Sequence, residues 1–532
     1  MLAKPLMKVT ALTLATLAVI GSLAVALTRS GFLTRLQQQS PRSAMQSVSP
    51  TDIVLKAGSD LNAALKRAQP GDTIILEAGA VFKGPITLPV KNGEKYITVR
   101  SSAPAGSLPG EGERVTPAYA GKMPKIMAPG DGQAALKTAP GAHHFRFIGV
   151  EFKPSDSSAL VYDLIQLGEG SPAQNSLDLV PHHLIFDRCY IHGDPAGTLK
   201  RGVALNSGET EIVNSYVSEC KLKGQDSQAL CGWNGPGPFK IINNYLEGAG
   251  ENVMFGGADP SIPGLVPSDI EIRRNHFYKP LAWRGQWTVK NLLELKNAQR
   301  VIVDGNLMEN NWADGQMGYA VLFTPRNQEG AAPWSLVRDV EFTNNIVRHV
   351  ASGFHIMGQD DIHRSGLMKN ILIHNNLVYD VTRARWGGLG FGVIFNHGGG
   401  DGIRITYNTL ITDWCGIQFE VSTQKINGLT VLNNIMEHIC GGPYSGTEAL
   451  NWAVDRWDVR RNLMVGTYPQ QPHPADNFFA PTAAGFDVLG FVNAAGGDYR
   501  LAERSPYKNL GTDGRHVGCD FESLGAAQSA AK

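Results

Sequence analysis

This sequence lacks a charge imbalance, metal-binding cysteine pairs and helical periodicity in its repeats. Lys plus Arg and Asp plus Glu both number 48. The chain therefore has no net charge with which to attract nucleic acid or an anionic membrane surface. None of the six cysteines stands in a CxxC pattern, which removes the common zinc-ribbon and redox motifs. Charged residues make up 18% of the chain and glycines number 60, a balance that suits turns and strands rather than helical bundles.

The N-terminus does have a long apolar run. Lys4 and Lys8 precede an uncharged stretch from Val9 to Leu27, and Ala24-Val25-Ala26 offers a small-x-small cleavage site. This is the pattern of an export signal, and it is also just long enough to span a bilayer. Residues 1–28 are thus expected to be a signal peptide or membrane anchor, the one segment placed to contact a membrane. Residues 29–50 read as a linker, and the rest is expected outside the cytoplasm as a monomer. Six cysteines suit an oxidising compartment. Cys415 and Cys440 fall at matching places in successive repeats, and Cys220 and Cys231 could close a short loop, against the alternative of buried free thiols.

One phrase recurs along the chain: alternating apolar residues, then Asn, then a short apolar run. It occurs at Asn214, Asn244, Asn275, Asn306, Asn345, Asn376, Asn408, Asn434 and Asn462, and "FRFIGVEF" and "LIFDRCYI" are earlier copies without the Asn. A repeat of this length made of strands and turns predicts a parallel β-helix, with coils stacked about 4.8 Å apart. Asparagines at one bend can then hydrogen-bond along the stack. An open solenoid must cap its ends. "GSDLNAALKRAQPGDTIIL" supplies an amphipathic helix and a strand, giving a cap over 51–76, a β-helix of about eleven coils over 77–497, and a C-terminal cap and tail over 498–532.

The cap, the asparagine column and the "DYRL…SP…GTDG" ending resemble right-handed parallel β-helix proteins of the pectin-lyase-like superfamily. That resemblance implies an all-β right-handed parallel β-helix. It leaves the activity open among lyases, hydrolases, esterases and adhesins.

A second phrase aligns without gaps: "NVMFGG", "LLELKN", "AVLFTP", "GFHIMG", "GVIFNH" and "GIQFEV". Its inward positions are all apolar, so alternation sends Met254, Glu294, Leu322, His355, Ile394 and Gln418 outward. The next outward column is Gly256, Lys296, Thr324, Met357, Asn396 and Glu420. The following turns add Arg326, Gln359, Asp360, Asp361 and His397, and Trp287, Trp312, Trp386 and Trp414 precede the sheet. Polar groups flanked by indoles suit a sugar chain, and the resemblance points to the same face. Trp287, Trp312, Trp386, Asn396, His397 and Glu420 are the expected substrate contacts, with a polysaccharide as partner.

Elimination on a uronate needs a base and a cation. His355 or Lys296 could be the base, with His355 preferred because Glu294 favours the charged ammonium of Lys296. Arg326 could stabilise the developing charge, as could a metal, calcium being the candidate, held by Asp360, Asp361 and Glu251. Hydrolysis would need two carboxyl groups, which Glu294 with Asp360 or Asp361 could supply. "NNYLEGAGENVMFGG" is similar to a stretch of the alginate lyase and chondroitinase B group at Asn244, Gly250 and Glu251. Val253 and the run Gly256-Gly257-Ala258 stand where that group has its second acid and its catalytic lysine. "GQDD" is similar to the paired aspartates of polygalacturonases, without their companion motifs. β-Elimination on an acidic polysaccharide is the leading expectation. Hydrolysis and a non-catalytic carbohydrate-binding or surface scaffold are the alternatives.

Overall fold

The computed structural model describes residues 49–158, 160–397, 399–420, 424–466 and 472–529. The expected signal or anchor, and nearly all of the expected linker, lie outside the described residues. Among the described residues no helix is long and apolar enough to cross a membrane.

The chain winds through three sheets of 14, 14 and 13 strands, visited in turn, so that each strand pairs in parallel with the equivalent strand one coil away, except Tyr444–Ser445, which pairs antiparallel with Ile439–Gly441. This is a parallel β-helix, with a few more coils than the eleven counted from the repeats. Sheet 1 runs from Asp52–Leu55 to Trp457–Arg460, sheet 2 from Val81–Lys83 to Phe478–Ala480, and sheet 3 from Ile86–Leu88 to Tyr444–Ser445. The three inner faces meet in one continuous apolar core, in which Phe147 stacks on Phe186 and Phe395 on Phe419. Each fully buried Leu, Ile, Val or Phe there contributes roughly 1.5–3 kcal/mol.

The bend between sheets 1 and 2 holds the asparagine ladder. Asn345 is typical: its Oδ1 accepts from the backbone N–H and the Nδ2 of Asn306, and its own Nδ2 donates to Val303 O and Asn376 Oδ1. The ladder runs from Asn244 through Asn275, Asn306, Asn345, Asn376, Asn408, Asn434 and Asn462 to Asn477. The expected first member, Asn214, is displaced by one residue. Ser215 takes that slot and donates its N–H to Asn244 Oδ1, while Asn214 occupies the left-handed position before it at φ 52°. Asn243, Asn344, Asn375 and Asn433 share that neighbouring column, where asparagine tolerates positive φ.

A short helix, Leu61–Arg67, closes the N-terminal end and buries Leu61, Ala64 and Leu65 under an Asp60 cap. Helix Gly446–Ala453 covers the other end with Ala449, Leu450 and Ala453. The segment after residue 498, expected as a terminal cap, instead runs back beside the ladder. Gly518 N donates to Asn433 O, Asp520 N to Asn375 Oδ1, and Gln528 Nε2 to Asn306 O.

Cys415 and Cys440, paired on adjacent coils, form a disulfide. Cys220 and Cys231 do not close a loop: both are buried free thiols, on strands of different sheets.

Candidate functional site

The outer face of sheet 3 has the register that the gapless alignment requires. Met254 pairs with Glu294, Glu294 with Leu322, Leu322 with His355, His355 with Ile394 and Ile394 with Gln418. A second outward column lies upstream of it, three residues away rather than two. Its members are Asp163, Arg201, Gln228, Glu251 and Asn291, register partners on successive coils. The odd spacing arises because two successive residues enter the core at this point, as in Leu164-Ile165, Ala229-Leu230 and Leu292-Leu293. Strict alternation therefore misses this column. The recurrence of a polar residue three positions before Cys231, Met254 and Glu294 is the signal that could have found it.

Glu251, the fourth member of this column, is fully buried. Its Oε2 accepts from Gln228 Nε2 at 2.7 Å, and Lys290 Nζ lies 4.0 Å from Oε1. Lys290 also pairs with Asp226, and this ion pair lies over the carboxyl group. Burial, then the charges of Asp226 and Glu294, push the Glu251 pKa up against Lys290 and Lys296. Behind it, the buried Lys279 donates to the carbonyls of Gly248, Ala249 and Gly250 and to Asn252 Oδ1, fixing the turn that carries Glu251. Glu294 is 2% exposed, and its Oε1 lies 3.4 Å from Lys296 Nζ. Burial works to lower the Lys296 pKa, but Glu294, Glu251 and Asp226 outweigh it and the net shift is upward. Lys296 is therefore an ammonium ion and not the general base considered from the sequence.

His355 lies two coils further on, about 10 Å away by strand spacing. Both ring nitrogens are buried without a hydrogen-bond partner, and the ring packs on Tyr319 at 4.7 Å between centroids. Burial, with Arg326 and His397 nearby, lowers its pKa to about 4, so the imidazole is neutral near pH 7. Arg326 Nη1 donates to Asp360 Oδ1 at 2.9 Å and to Asp361 Oδ1. Asp360 also accepts from the backbone N–H groups of Asn327 and Ile362. The aspartate pair is thus an Arg326-bound turn rather than an open metal site. Glu251 stands three coils from it, about 14 Å by strand spacing, so Asp360, Asp361 and Glu251 do not form one metal centre.

The indoles need a similar correction. Trp312 and Trp386 are 1% and 3% exposed and pack with Trp283, Val289, Ala249 and Ala351. Neither ring has a free face for a sugar. Trp287 is partly buried against the same cluster, with Lys221 Nζ 5.4 Å from its ring. Among the tryptophans singled out from the sequence, Trp414 is the exposed one, beneath the Arg383 guanidinium. Asn396, His397 and Glu420 do lie on the far part of the face, half-buried to exposed, with His397 Nε2 4.0 Å from Asp361 Oδ2. Tyr319 and Leu322, one coil before His355, and Phe391, Ile394 and Cys415, on the two coils after it, form an apolar layer over the sheet.

Buried polar atoms without partners mark this face. Gln228 Oε1, Glu251 Oε1, Asn291 Oδ1, Thr324 Oγ1, both His355 ring nitrogens and Asn396 Oδ1 lie on six consecutive coils, at least one on each. An unmet buried polar group costs about 1–3 kcal/mol, so a row of atoms without hydrogen-bond partners calls for ordered water, an ion or a polar ligand. The first three oxygens share one column beside the Glu294 carboxylate. Carbonyl and carboxylate oxygens are the ligand types of a hard cation such as calcium, and here Lys290 and Lys296 already stand against the Glu251 and Glu294 carboxylates.

No family model and no curated protein match the chain. Among solved structures it is similar to a PL6-family alginate lyase, at 13% identity and TM-score 0.38, over 82% of this chain and 50% of that one. The chain thus spans half the length of that lyase. It is also similar to pectate lyase Pel9A, at 13% identity and TM-score 0.36, over 88% and 93%. A third is the Streptococcus pneumoniae surface protein and adhesin PfbA, at 11% identity and TM-score 0.39, over 76% and 94%. The fold assignment rests on the sheet topology of this chain itself.

Proposed function

We propose that this is an exported protein that binds an extended acidic polysaccharide along the outer face of sheet 3 and cleaves it by β-elimination. The observation that carries this is the row of partnerless polar atoms, one coil apart. That spacing is close to the length of one sugar unit in an extended chain, so successive sugars would meet successive groups. The leader-like N-terminus and the Cys415–Cys440 disulfide support an extracytoplasmic location.

Gln228, Glu251, Asn291 and Glu294 would hold a calcium ion, which would supply positive charge for the uronate carboxylate. Lys296 and Arg326 add cationic groups along the same edge. His355, neutral and with free ring nitrogens, takes the proton from the carbon beside the carboxylate. Tyr319, whose phenol is pushed up to about 12 by burial and by Glu420, keeps its proton to give to the departing sugar oxygen as the carbon–oxygen bond breaks. The apolar layer of Leu322, Phe391 and Ile394 excludes water, which favours elimination over hydrolysis.

One observation favours hydrolysis instead. Glu251 is pushed up to about 7 by burial and by Asp226 and Glu294, so it holds its proton more tightly than an ordinary carboxyl beside the Glu294–Lys296 pair, and two carboxyl groups in unlike environments are the arrangement of a glycoside hydrolase. The two chemistries separate in one assay. Elimination creates an unsaturated sugar that absorbs in the ultraviolet with each new reducing end, and hydrolysis creates the reducing end alone.

A further inference from the structure

Away from sheet 3, two coils carry a doubled histidine at the same place: "AHHFRF", residues 142–147, and "PHHLIF", residues 181–186. His143 pairs in register with His182 at the start of adjacent sheet 1 strands. His144 and His183 follow in left-handed conformations, at φ 60° and 54°. The rings of His143 and His182 stack at 4.9 Å, and those of His144 and His183 at 4.2 Å. Within each pair the two Nδ1 atoms are in contact, at 2.7 Å for His143–His144 and 2.6 Å for His182–His183. Such a contact forms only if one nitrogen carries a proton and the other presents a lone pair.

We propose that this four-histidine cluster is a binding site for a borderline transition-metal ion, of which zinc is the representative. His144, His182 and His183 each place a ring nitrogen within 4.8 Å of the other two. Tetrahedral zinc with bonds of 2.0–2.1 Å needs nitrogens about 3.3 Å apart, so small side-chain rotations would bring three of them into place. Glu209 Oε2 lies 2.6 Å from His183 Nε2. A carboxylate on that nitrogen fixes its proton there and leaves the Nδ1 lone pair for the metal, as carboxylate–histidine pairs do in metal sites. Zinc then takes the place of the proton shared between His182 and His183. A set of imidazole ligands selects zinc, nickel or copper over calcium and magnesium. His144 is 8% exposed, whereas His183 is partly open, so an ion has a route in. Burial and the neighbouring imidazoles lower His144 to about 4 and lower His182 as well, which keeps these rings neutral and ligand-competent near pH 7.

The test is calorimetric titration of untagged, chelator-stripped protein with zinc chloride, alongside His182→Gln/His183→Gln and Glu209→Gln. One zinc per chain is expected for the parent chain, loss of that site in the double variant, and roughly 10- to 100-fold weaker binding in Glu209→Gln. Polysaccharide cleavage should be unchanged in all three. Electron paramagnetic resonance of the copper-loaded parent chain, which needs no variant to fold, should show coupling to at least three imidazole nitrogens. Unchanged stoichiometry in the double variant, or a copper signal without multiple nitrogen couplings, would overturn the proposal.

Discussion

Lys296 Nζ lies 3.4 Å from Glu294 Oε1, and this ion pair on the outer face of a sheet joins a buried carboxylate to a largely covered ammonium. Removing one partner strands the other. Glu294→Gln should destabilise the fold by about 3 kcal/mol, the lower end for breaking a buried pair because Glu251 and Asp226 still face the ammonium. The double change Glu294→Leu/Lys296→Met should recover most of that loss. Denaturant unfolding of the three chains checks both statements.

Glu251 and His355 should give opposite pH dependences. Folding raises the Glu251 pKa, so the protonated carboxyl is the favoured folded form. Its contribution is fully present below the unfolded value near 4.5 and is lost as pH rises through the higher folded value. Folding lowers His355 from about 6.5 to about 4, so its contribution is complete above 6.5 and is lost as pH falls through 4. Glu251→Gln should flatten the decline above pH 4.5. His355→Phe should flatten the rise between about pH 4 and 6.5. Melting temperatures across pH 3.5 to 8, a span of about 4.5 units around these values, would show each change separately.

Calcium should stabilise the folded chain through Gln228, Glu251, Asn291 and Glu294. An ion present at about a hundred times its dissociation constant adds about 2.7 kcal/mol. Chelation should reverse this, and Asn291→Leu should remove most of it, because its Oδ1 is one of the three partnerless oxygens. Thermal unfolding with calcium or chelator reads the difference. An unchanged melting temperature in the parent chain would remove the cation from the mechanism.

The asparagine ladder should be costly to interrupt in the middle. Asn345→Leu removes the acceptor for Asn306 N and Nδ2 and the donor to Val303 O and Asn376 Oδ1. At about 1–3 kcal/mol for each group left unmet, the loss should exceed that of Asn244→Leu at the ladder's start, whose Oδ1 accepts the single bond from Ser215 N. Comparing denaturation midpoints of the two variants tests this.

The fold was largely legible in the sequence because coil stacking makes register visible. Asn306, Asn345 and Asn376 recur where the bend needs them, and most apolar positions alternate along the strands. The site was legible only in part. Glu294, His355 and Lys296 face outward as alternation requires, but Gln228 and Asn291 are hidden by the paired core residues that follow them, which break the two-residue period. Trp312 and Trp386 misled for another reason. Their position beside the sheet is visible in sequence, but a loop that folds its indoles under itself reads the same as one that presents them to solvent. The histidine pairs at 143–144 and 182–183 precede the repeat phrase instead of lying within it, so the repeat does not mark them.

The central claim is elimination on an acidic polysaccharide by His355 beside a cation site. Its most direct test is ultraviolet absorbance of the chain lacking residues 1–28, incubated with a panel of polyuronates and glycosaminoglycans in calcium. The account predicts a rise on at least one of them, abolished in His355→Asn and reduced by chelator. New reducing ends without a rise in absorbance would contradict it in favour of hydrolysis through Glu251 and Glu294. Neither signal on any polymer would leave sheet 3 as a binding surface.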